Sequence, residues 1–166
     1  MNYLTCPLLN NEEIKIIQKR LNDNADYWED GKKTAGSHAA QVKNNLQLNR
    51  NSEISKNLSQ LIIKKILSNP LIKSFSLPKS IHGIMFTKSS KGMRYGRHID
   101  NAFMSTGRSD LSFTIFINEK ENYEGGELIV ENINSENKFK LNSGEILIYP
   151  STYLHSVKEI ASGVRL

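Results

Sequence analysis

The second half of the chain is divided into short runs of β-branched and aromatic residues, and this pattern constrains the fold more than any other feature. After Pro78 these runs alternate with turn residues, as is typical of strands joined by tight connections. The six predicted strands are residues 81–87, 111–118, 127–131, 138–141, 145–149 and 154–159. Short strands at fairly regular spacing favour a double sheet of the jelly-roll type.

The first half of the chain has the periodicity of helices. Residues 11–21 carry an apolar stripe behind Asn10 or Asn11, either of which can cap the helix. Residues 52–68 carry a second stripe, which opens at Ser52 and ends before Pro70. We therefore expect one α+β domain over residues 1–166. Its mainly helical segment, residues 1–78, packs on a β-rich catalytic core, residues 79–166.

Composition limits the classes of protein to consider. Hydrophobic residues make up 38% and charged residues 23% of the 166 residues, which indicates a folded globular chain. The apolar runs are far too short to cross a bilayer, so no membrane partner is expected. The first residues do not read as a secretory signal, and the only cysteine, Cys6, cannot form an internal disulfide. Both observations favour a cytoplasmic location.

The net charge of +5 does not by itself indicate a partner. Lysines and arginines are scattered, and no run of them is interleaved with aromatic residues. We therefore do not expect a nucleic-acid partner. The charge is compatible with an anionic small molecule. The sequence does not indicate an oligomeric state.

Chemistry is first suggested by the spacing of His98 and Asp100. If these residues lie in a strand, their side chains project to the same face, and Ile99 points into the core. An imidazole and a carboxylate together suit a divalent metal of intermediate softness. A His-x-Asp triplet alone is a weak signal, because it also occurs by chance.

His155 is the best candidate for a third ligand, because it follows the predicted core strand 145–149. Two histidines and one carboxylate leave three coordination positions open, which is the arrangement of non-haem Fe(II) oxygenases. A lone histidine is more often structural, however. A cupin-like metal-binding protein would also use such a triad without being an oxygenase.

Arg165 lies ten residues after His155 and has a chemical role in the same scheme. A guanidinium pairs bidentately with a carboxylate, and 2-oxoglutarate has a second carboxylate that points away from the metal. A hairpin through residues 161–163 would bring Arg165 beside the strand of His155. The alternative is an ordinary surface arginine. Asn101 follows the ligand pair and has two interpretations, a hydrogen bond near the metal or a turn.

At this point the chain resembles the bacterial PKHD-type hydroxylases, which are relatives of prolyl 4-hydroxylase. Several motifs of five or more residues carry the resemblance, and they extend over nearly the whole chain. They lie at residues 28–31, 34–36, 41–45, 93–104, 108–112, 123–128 and 149–155.

The resemblance implies a double-stranded β-helix and an Fe(II)- and 2-oxoglutarate-dependent dioxygenase. Such an enzyme hydroxylates a substrate with O2 and converts 2-oxoglutarate to succinate, while L-ascorbate (vitamin C) keeps the iron reduced. A link to iron homeostasis is a further implication. The family's iron ligands map onto His98, Asp100 and His155, and its co-substrate arginine maps onto Arg165.

Two departures from the family pattern affect the expectations. Ser89 stands where many relatives carry a tyrosine that contacts 2-oxoglutarate, so this contact is either lost or supplied by Tyr95. The sequence also stops at Leu166, which predicts a chain truncated at the C-terminus with an incomplete last strand. Arg165 would then lie at a frayed end, and an inactive truncated fragment is a further alternative.

Overall fold

Helices occupy much of the first half of the protein. The computed structural model describes residues 3–104 and 107–166. Its α-helices there are α1 (Asn11–Asn22), α2 (Ser37–Val42), α3 (Glu53–Ser68) and α4 (Pro70–Ser76). Asn10 and Glu13 form a capping box at the start of α1, and the Ser52 hydroxyl caps α3. The two helices predicted from periodicity are therefore confirmed.

Helix α4 is not predicted by the sequence pattern, in which Asn69-Pro70 is only a stop signal. The Asn69 side chain accepts hydrogen bonds from the backbone N–H groups of Leu71 and Ile72. Pro70 takes the first helical position, where its missing N–H has no cost. The same two residues therefore end one helix and begin the next.

The remainder of the fold is antiparallel β-structure. The strands are β1 (Leu4–Pro7), β2 (Trp28–Asp30), β3 (Lys43–Asn44), β4 (Leu46–Leu48), β5 (Thr87–Ser90), β6 (Arg94–His98), β7 (Phe103–Met104), β8 (Gly107–Arg108), β9 (Leu111–Ile115), β10 (Tyr123–Gly125), β11 (Leu128–Glu131), β12 (Glu136–Phe139), β13 (Glu145–Pro150), β14 (Leu154–Val157) and β15 (Ile160–Arg165). Three short 3-10 turns lie at Ala25–Tyr27, Gly31–Thr34 and Lys120–Asn122.

The strands form two facing sheets, as expected for a double-stranded β-helix. The site sheet has the strand order β12-β11-β14-β6-β3. The helix-covered sheet consists of β10-β15-β5-β4-β2 and of β1-β13-β9, and the Ile117 N–H donates to the Leu166 carbonyl where these two groups of strands meet. Strands β7 and β8 form a separate ribbon. No helix among the described residues is long and apolar enough to cross a membrane.

Two hydrophobic cores lie on the two faces of β13. Ile146 and Ile148 pack with the apolar faces of α1 and α3, whereas Leu147 and Tyr149 pack between the sheets. Alternate residues of a strand point to opposite faces, so one strand contributes to both cores. Because helices and strands from both halves share the first core, the helices are held directly on the sheet.

Strand β15 corrects the expectation that Arg165 lies at a frayed end. It extends over six residues and lies between β10 and β5. Arg165 itself pairs with Ser89 of β5. The sequence of β15, which includes Ala161, Ser162 and Gly163, has weak strand propensity. Pairing on both sides overrides that propensity.

The predicted hairpin through residues 161–163 is wrong. These residues lie within β15, and the chain turns earlier, at Lys158 and Glu159. That turn carries the chain from β14 in the site sheet to β15 in the helix-covered sheet. Arg165 is therefore in the sheet opposite to that of His155.

Candidate metal and co-substrate site

The register of two strands brings the two candidate histidines together. His98 ends β6, and its direct cross-strand partner on β14 is His155. The centroids of their rings are 4.1 Å apart. Directly opposite residues of an antiparallel pair project to the same face, so both rings occupy the same side of the site sheet.

Asp100 reaches this side from outside the strand, which corrects the sequence-based expectation. Strand β6 ends at His98, and the Asp100 N–H donates to the Ser151 carbonyl. Ile99 is 58% exposed rather than buried in the core. The chain leaves the ladder after His98, so the two-residue alternation of a strand does not apply to the next residues.

The donor atoms of His98, Asp100 and His155 all lie within 4.8 Å of one another. The Asp100 carboxylate oxygens are 3.9 Å from His98 Nε2 and 3.7 Å from His155 Nε2. A divalent ion with bonds of about 2.0–2.2 Å separates neighbouring donors by roughly 3–3.5 Å. Only small side-chain movements are needed to close the three donors on an ion.

Both histidines present the correct nitrogen for a metal. His98 Nδ1 lies 2.8 Å from the Gly96 carbonyl, and His155 Nδ1 lies 3.0 Å from the Tyr153 carbonyl. Because a carbonyl only accepts, each Nδ1 carries the proton and each Nε2 keeps its lone pair. Burial, and secondarily the charge of His155, lowers the pKa of His98 to about 4. The His98 ring is therefore neutral at physiological pH.

Ser112 orients the carboxylate of the triad, a role that the sequence did not reveal. Its hydroxyl donates to Asp100 Oδ2 over 2.5 Å. Ser112 lies on β9 of the helix-covered sheet, opposite Tyr149 of β13. Ser112 and Thr114 are two residues apart and share one face of this strand. Their polarity suits a face that points to solvent as well as one that points to the interior, so the sequence does not distinguish the two.

Tyr95 packs on the candidate metal site through its ring. The ring stacks on His98 with centroids 3.7 Å apart and an angle of 19° between the planes. Burial, and then the charge of Asp100, raises the pKa of Tyr95 to about 12, so the phenol stays protonated. The structure thus places Tyr95, a predicted co-substrate contact, beside an imidazole of the candidate triad.

Lys43 is a buried cation behind this stack. It pairs with Tyr95 across strands β3 and β6, and its ammonium lies 5.1 Å from the centroid of the Tyr95 ring. Only 2% of Lys43 is exposed, and the ammonium donates to Gln47 Oε1 over 3.3 Å. Burial lowers the pKa of this amine. A lysine between Val42 and Asn44 gives no sign of burial in the sequence.

Arg165 differs from the arginines of the described chain that form ion pairs. Arg94, Arg97 and Arg108 are exposed and form salt bridges with carboxylates. Arg165 is 6% exposed, forms no salt bridge with any described carboxylate, and leaves its Nε without a hydrogen-bond partner. Burial lowers its pKa. A buried cation without an anion is costly, and a ligand carboxylate would offset this cost.

The interior between the sheets connects Arg165 with the triad. The Arg165 guanidinium lies 5.4 Å from the centroid of Phe116, which belongs to the core between the sheets. In the same core the Tyr149 ring meets His155 edge-on, with centroids 5.2 Å apart. Burial, and then the charge of Asp100, raises the pKa of Tyr149, whereas Arg165 lowers it. Tyr149 and Phe116 thus belong to one core, which contacts His155 through Tyr149 and the Arg165 guanidinium through Phe116.

Asn101 lies at the outer edge of the site. It is exposed and follows Asp100 outside any strand. Its amide nitrogen lies near Gly36, at 3.9 Å from the position of a Cβ on that glycine. This placement does not test its predicted contact with the co-substrate.

Comparison with protein families and curated proteins gives a consistent result. The model of the 2OG-Fe(II) oxygenase superfamily matches residues 84–166. The chain is 71% identical over 166 residues to a PKHD-type hydroxylase of Prochlorococcus marinus strain AS9601, covering 100% of this chain and 75% of that protein. It is 72% identical, with the same coverage, to a PKHD-type hydroxylase of strain MIT 9312.

Solved structures support the same fold. A Pseudomonas putida prolyl-4-hydroxylase aligns with a TM-score of 0.69 and 15% identity, covering 99% of this chain and 88% of the other. A Trichoplax adhaerens prolyl hydroxylase, in complex with a peptide fragment of the hypoxia inducible factor oxygen degradation domain, aligns with a TM-score of 0.67 and 18% identity. That alignment covers 99% of this chain and 80% of the other. At 15% and 18% identity, these alignments show that the fold is shared.

Proposed function

The chain belongs to the PKHD-type hydroxylases of the 2OG-Fe(II) oxygenase superfamily, and we propose on that premise that His98, Asp100 and His155 hold its iron. It is an Fe(II)- and 2-oxoglutarate-dependent dioxygenase that hydroxylates a substrate still to be identified. When bound, the iron with 2-oxoglutarate and O2 supplies the oxidising power for hydroxylation, and 2-oxoglutarate leaves as succinate and CO2.

The observation that carries the proposal is the direct pairing of His98 with His155, together with the carboxylate of Asp100 between them. Each histidine has one nitrogen occupied by a backbone carbonyl and the other free. Three donors from two imidazoles and one carboxylate fit Fe(II) and leave positions open for other ligands. The assignment of Fe(II) to these three side chains rests on these contacts and on the two nitrogen donors and one oxygen donor that they offer.

The remaining residues of the site orient the ligands and keep water out. Ser112 holds the Asp100 carboxylate, and Tyr95 packs on the His98 ring. Tyr149 closes the other side against His155. These contacts reduce the number of orientations that each ligand must give up when the metal binds.

We assign the far carboxylate of 2-oxoglutarate to Arg165. Its guanidinium is buried on the interior side of β15 and has no anionic partner among the described residues. A bidentate carboxylate would satisfy the open Nε and neutralise the charge. Tyr95 and Asn101 remain predictions as co-substrate contacts.

Three further assignments belong to this proposal. Residues 1–166 act as one catalytic domain with a mainly helical segment, residues 1–78, and a β-rich core, residues 79–166, and the hydrophobic core that both share supports this. L-Ascorbate serves as the reductant, as the family resemblance implies. The protein works in the cytoplasm, and its single cysteine suits a reducing compartment.

The test is succinate formation by the purified chain with Fe(II), 2-oxoglutarate and O2. We expect slow, substrate-independent turnover that is lost in both His98→Ala and His155→Ala. His82→Ala is the matched control, because His82 contacts the Arg108 carbonyl outside the triad. Metal binding without succinate formation would favour a cupin-like protein. A folded chain that neither binds metal nor forms succinate would indicate an inactive fragment.

A further inference from the structure

We propose that the Tyr123 hydroxyl is a second binding group for 2-oxoglutarate, donating a hydrogen bond to its far carboxylate beside Arg165. The inference rests on the proposed function and assigns a role to a residue that the sequence analysis names only as part of the motif 123–128. Four observations support it, and they concern register, packing, hydrogen bonding and the opposite strand.

The register places both side chains on one face of the helix-covered sheet. Tyr123 of β10 pairs directly with Gly163 of β15, and Arg165 follows two residues later. Opposite residues share a face, and so do residues two apart. Tyr123 therefore projects to the same side as Arg165, which is the interior side where Phe116 contacts the guanidinium.

Packing shows that the two side chains converge. A Cβ on Gly126 would lie 3.1 Å from Tyr123 Cε2 and also 3.1 Å from Arg165 Cδ. A side chain at Gly126 would therefore collide with Ile160 and crowd both Tyr123 and Arg165, which approach each other at this point. Both are buried, with 4% of Tyr123 and 6% of Arg165 exposed.

Hydrogen bonding leaves an acceptor missing at this point. The Tyr123 hydroxyl and the Arg165 Nε are both buried without a hydrogen-bond partner among the described residues. A guanidinium only donates, and a phenol that accepts from it still has its own proton to donate. The pair therefore cannot satisfy itself, and buried unsatisfied groups are costly. A carboxylate, which only accepts, completes both groups.

The neighbouring strand places a small side chain beside Arg165. Arg165 is paired on its other side with Ser89 of β5, a small buried residue. Gly126 lies next to Arg165 Cδ and Ser89 is the cross-strand partner of Arg165, and neither carries a bulky side chain. A phenol on β10 and a guanidinium on β15 thus form a two-donor site whose chemistry selects a 2-oxo acid with a second carboxylate.

The experiment compares two ligands that differ only at the far end. 2-Oxopentanoate carries a methyl group where 2-oxoglutarate carries its second carboxylate. We measure the dissociation constants of both for the Mn(II)-loaded protein by calorimetry. Tyr123→Phe is expected to weaken 2-oxoglutarate about tenfold and to leave 2-oxopentanoate unchanged. Tyr27→Phe, an exposed tyrosine, is the matched control and should change neither constant.

The other outcomes decide between the inference and its premise. If Arg165→Lys loses selectivity for 2-oxoglutarate while Tyr123→Phe retains it, the inference is wrong and the proposed function stands. Equal weakening of both ligands in Tyr123→Phe also overturns it, because a merely structural tyrosine has that effect. If the wild type does not distinguish the two acids, or binds neither Mn(II) nor 2-oxoglutarate, the proposed function fails as well.

Discussion

Individual contacts at the proposed metal site orient each of its three candidate ligands. Asp100 is the least supported of the three, because it lies outside the sheet and its side chain is 38% exposed. The Ser112 hydroxyl is its one side-chain hydrogen-bond donor among the described residues. Mutation of a residue that orients a metal ligand in this way typically lowers metal affinity by about 10–100-fold.

Ser112→Ala is therefore expected to weaken metal binding by about tenfold or more. The Asp100 carboxylate would then have to give up more orientations on binding. The measurement is the dissociation constant for Mn(II), from a titration monitored by electron paramagnetic resonance. Ser135→Ala, in an exposed turn, serves as the control. Equal affinities in the two variants would remove Ser112 from the site.

Tyr95 allows two contributions to be separated, one from its ring and one from its hydroxyl. Tyr95→Phe keeps the ring that stacks on His98, whereas Tyr95→Leu removes it. We expect Tyr95→Leu, but not Tyr95→Phe, to weaken Mn(II) binding several-fold. A loss of 2-oxoglutarate affinity in Tyr95→Phe would instead support the predicted co-substrate contact. Calorimetry with each ligand distinguishes these results.

At the scale of residues, the sequence indicates which side chains are candidates for the site better than it indicates their geometry. His98, Asp100, His155 and Arg165 are recognisable because their side chains have specific ligand chemistry and a characteristic spacing. Ser112 and Tyr123 are not, because a serine or a tyrosine in a strand has many possible roles. Their roles depend on which strands are neighbours, and pairing between distant segments is not encoded in local pattern.

Among the connections between strands, the one from β10 to β11 lies nearest to the proposed binding group Arg165. Gly126 lies in this connection with φ +67°, and a side chain there would meet Ile160, Arg165 and Tyr123. This left-handed conformation is unfavourable for a residue with a side chain. A substitution at Gly126 therefore adds both backbone strain and crowding of Arg165.

Gly126→Ala is expected to destabilise the protein by about 1–3 kcal/mol and to weaken 2-oxoglutarate binding. Gly92→Ala is a matched control, because Gly92 has φ +80° but no described atom lies within 4 Å of the position that a Cβ would take there. It should show the backbone cost alone and bind 2-oxoglutarate normally. Urea unfolding and calorimetry provide the two measurements. Equal effects at both glycines would argue against crowding at Arg165.

The predictability of elements follows the strength of their local signals. Helices α1 and α3 have caps and apolar stripes, so both are predicted with bounds close to those observed. Strand β15 has a small, polar sequence and is missed, although it carries Arg165. Residues 81–86 are predicted as part of a strand, but β5 begins only at Thr87. Apolar character there reflects packing against the helices rather than pairing.

For the whole molecule, β13 separates two cores with different consequences for function. Ile146 faces the helices and Leu147 faces the interior between the sheets, and both are fully buried. Their truncation therefore creates cavities of similar chemistry in different places. The fold class is predictable from the sequence because helical and strand periodicity are segregated along the chain. The division of the interior into two cores is not predictable from the sequence, because it depends on how the two sheets pack against each other.

Ile146→Ala and Leu147→Ala are each expected to cost about 2–5 kcal/mol of unfolding free energy. Only Leu147→Ala should also reduce the affinity for 2-oxoglutarate, since its cavity opens beside Tyr149 and Phe116. Denaturant unfolding gives the stability, and calorimetry at a temperature where both variants are folded gives the affinity. A loss of affinity in Ile146→Ala alone would contradict this arrangement of the cores.

The direct pairing of His98 with His155 has a consequence for folding. A slip of one residue between β6 and β14 would turn one imidazole to the opposite face of the sheet. Such a chain could keep its helices and most of its strands but could not assemble the triad. The molar ratio of bound metal to protein in a preparation would then give the fraction of chains in which β6 and β14 have paired in the native register.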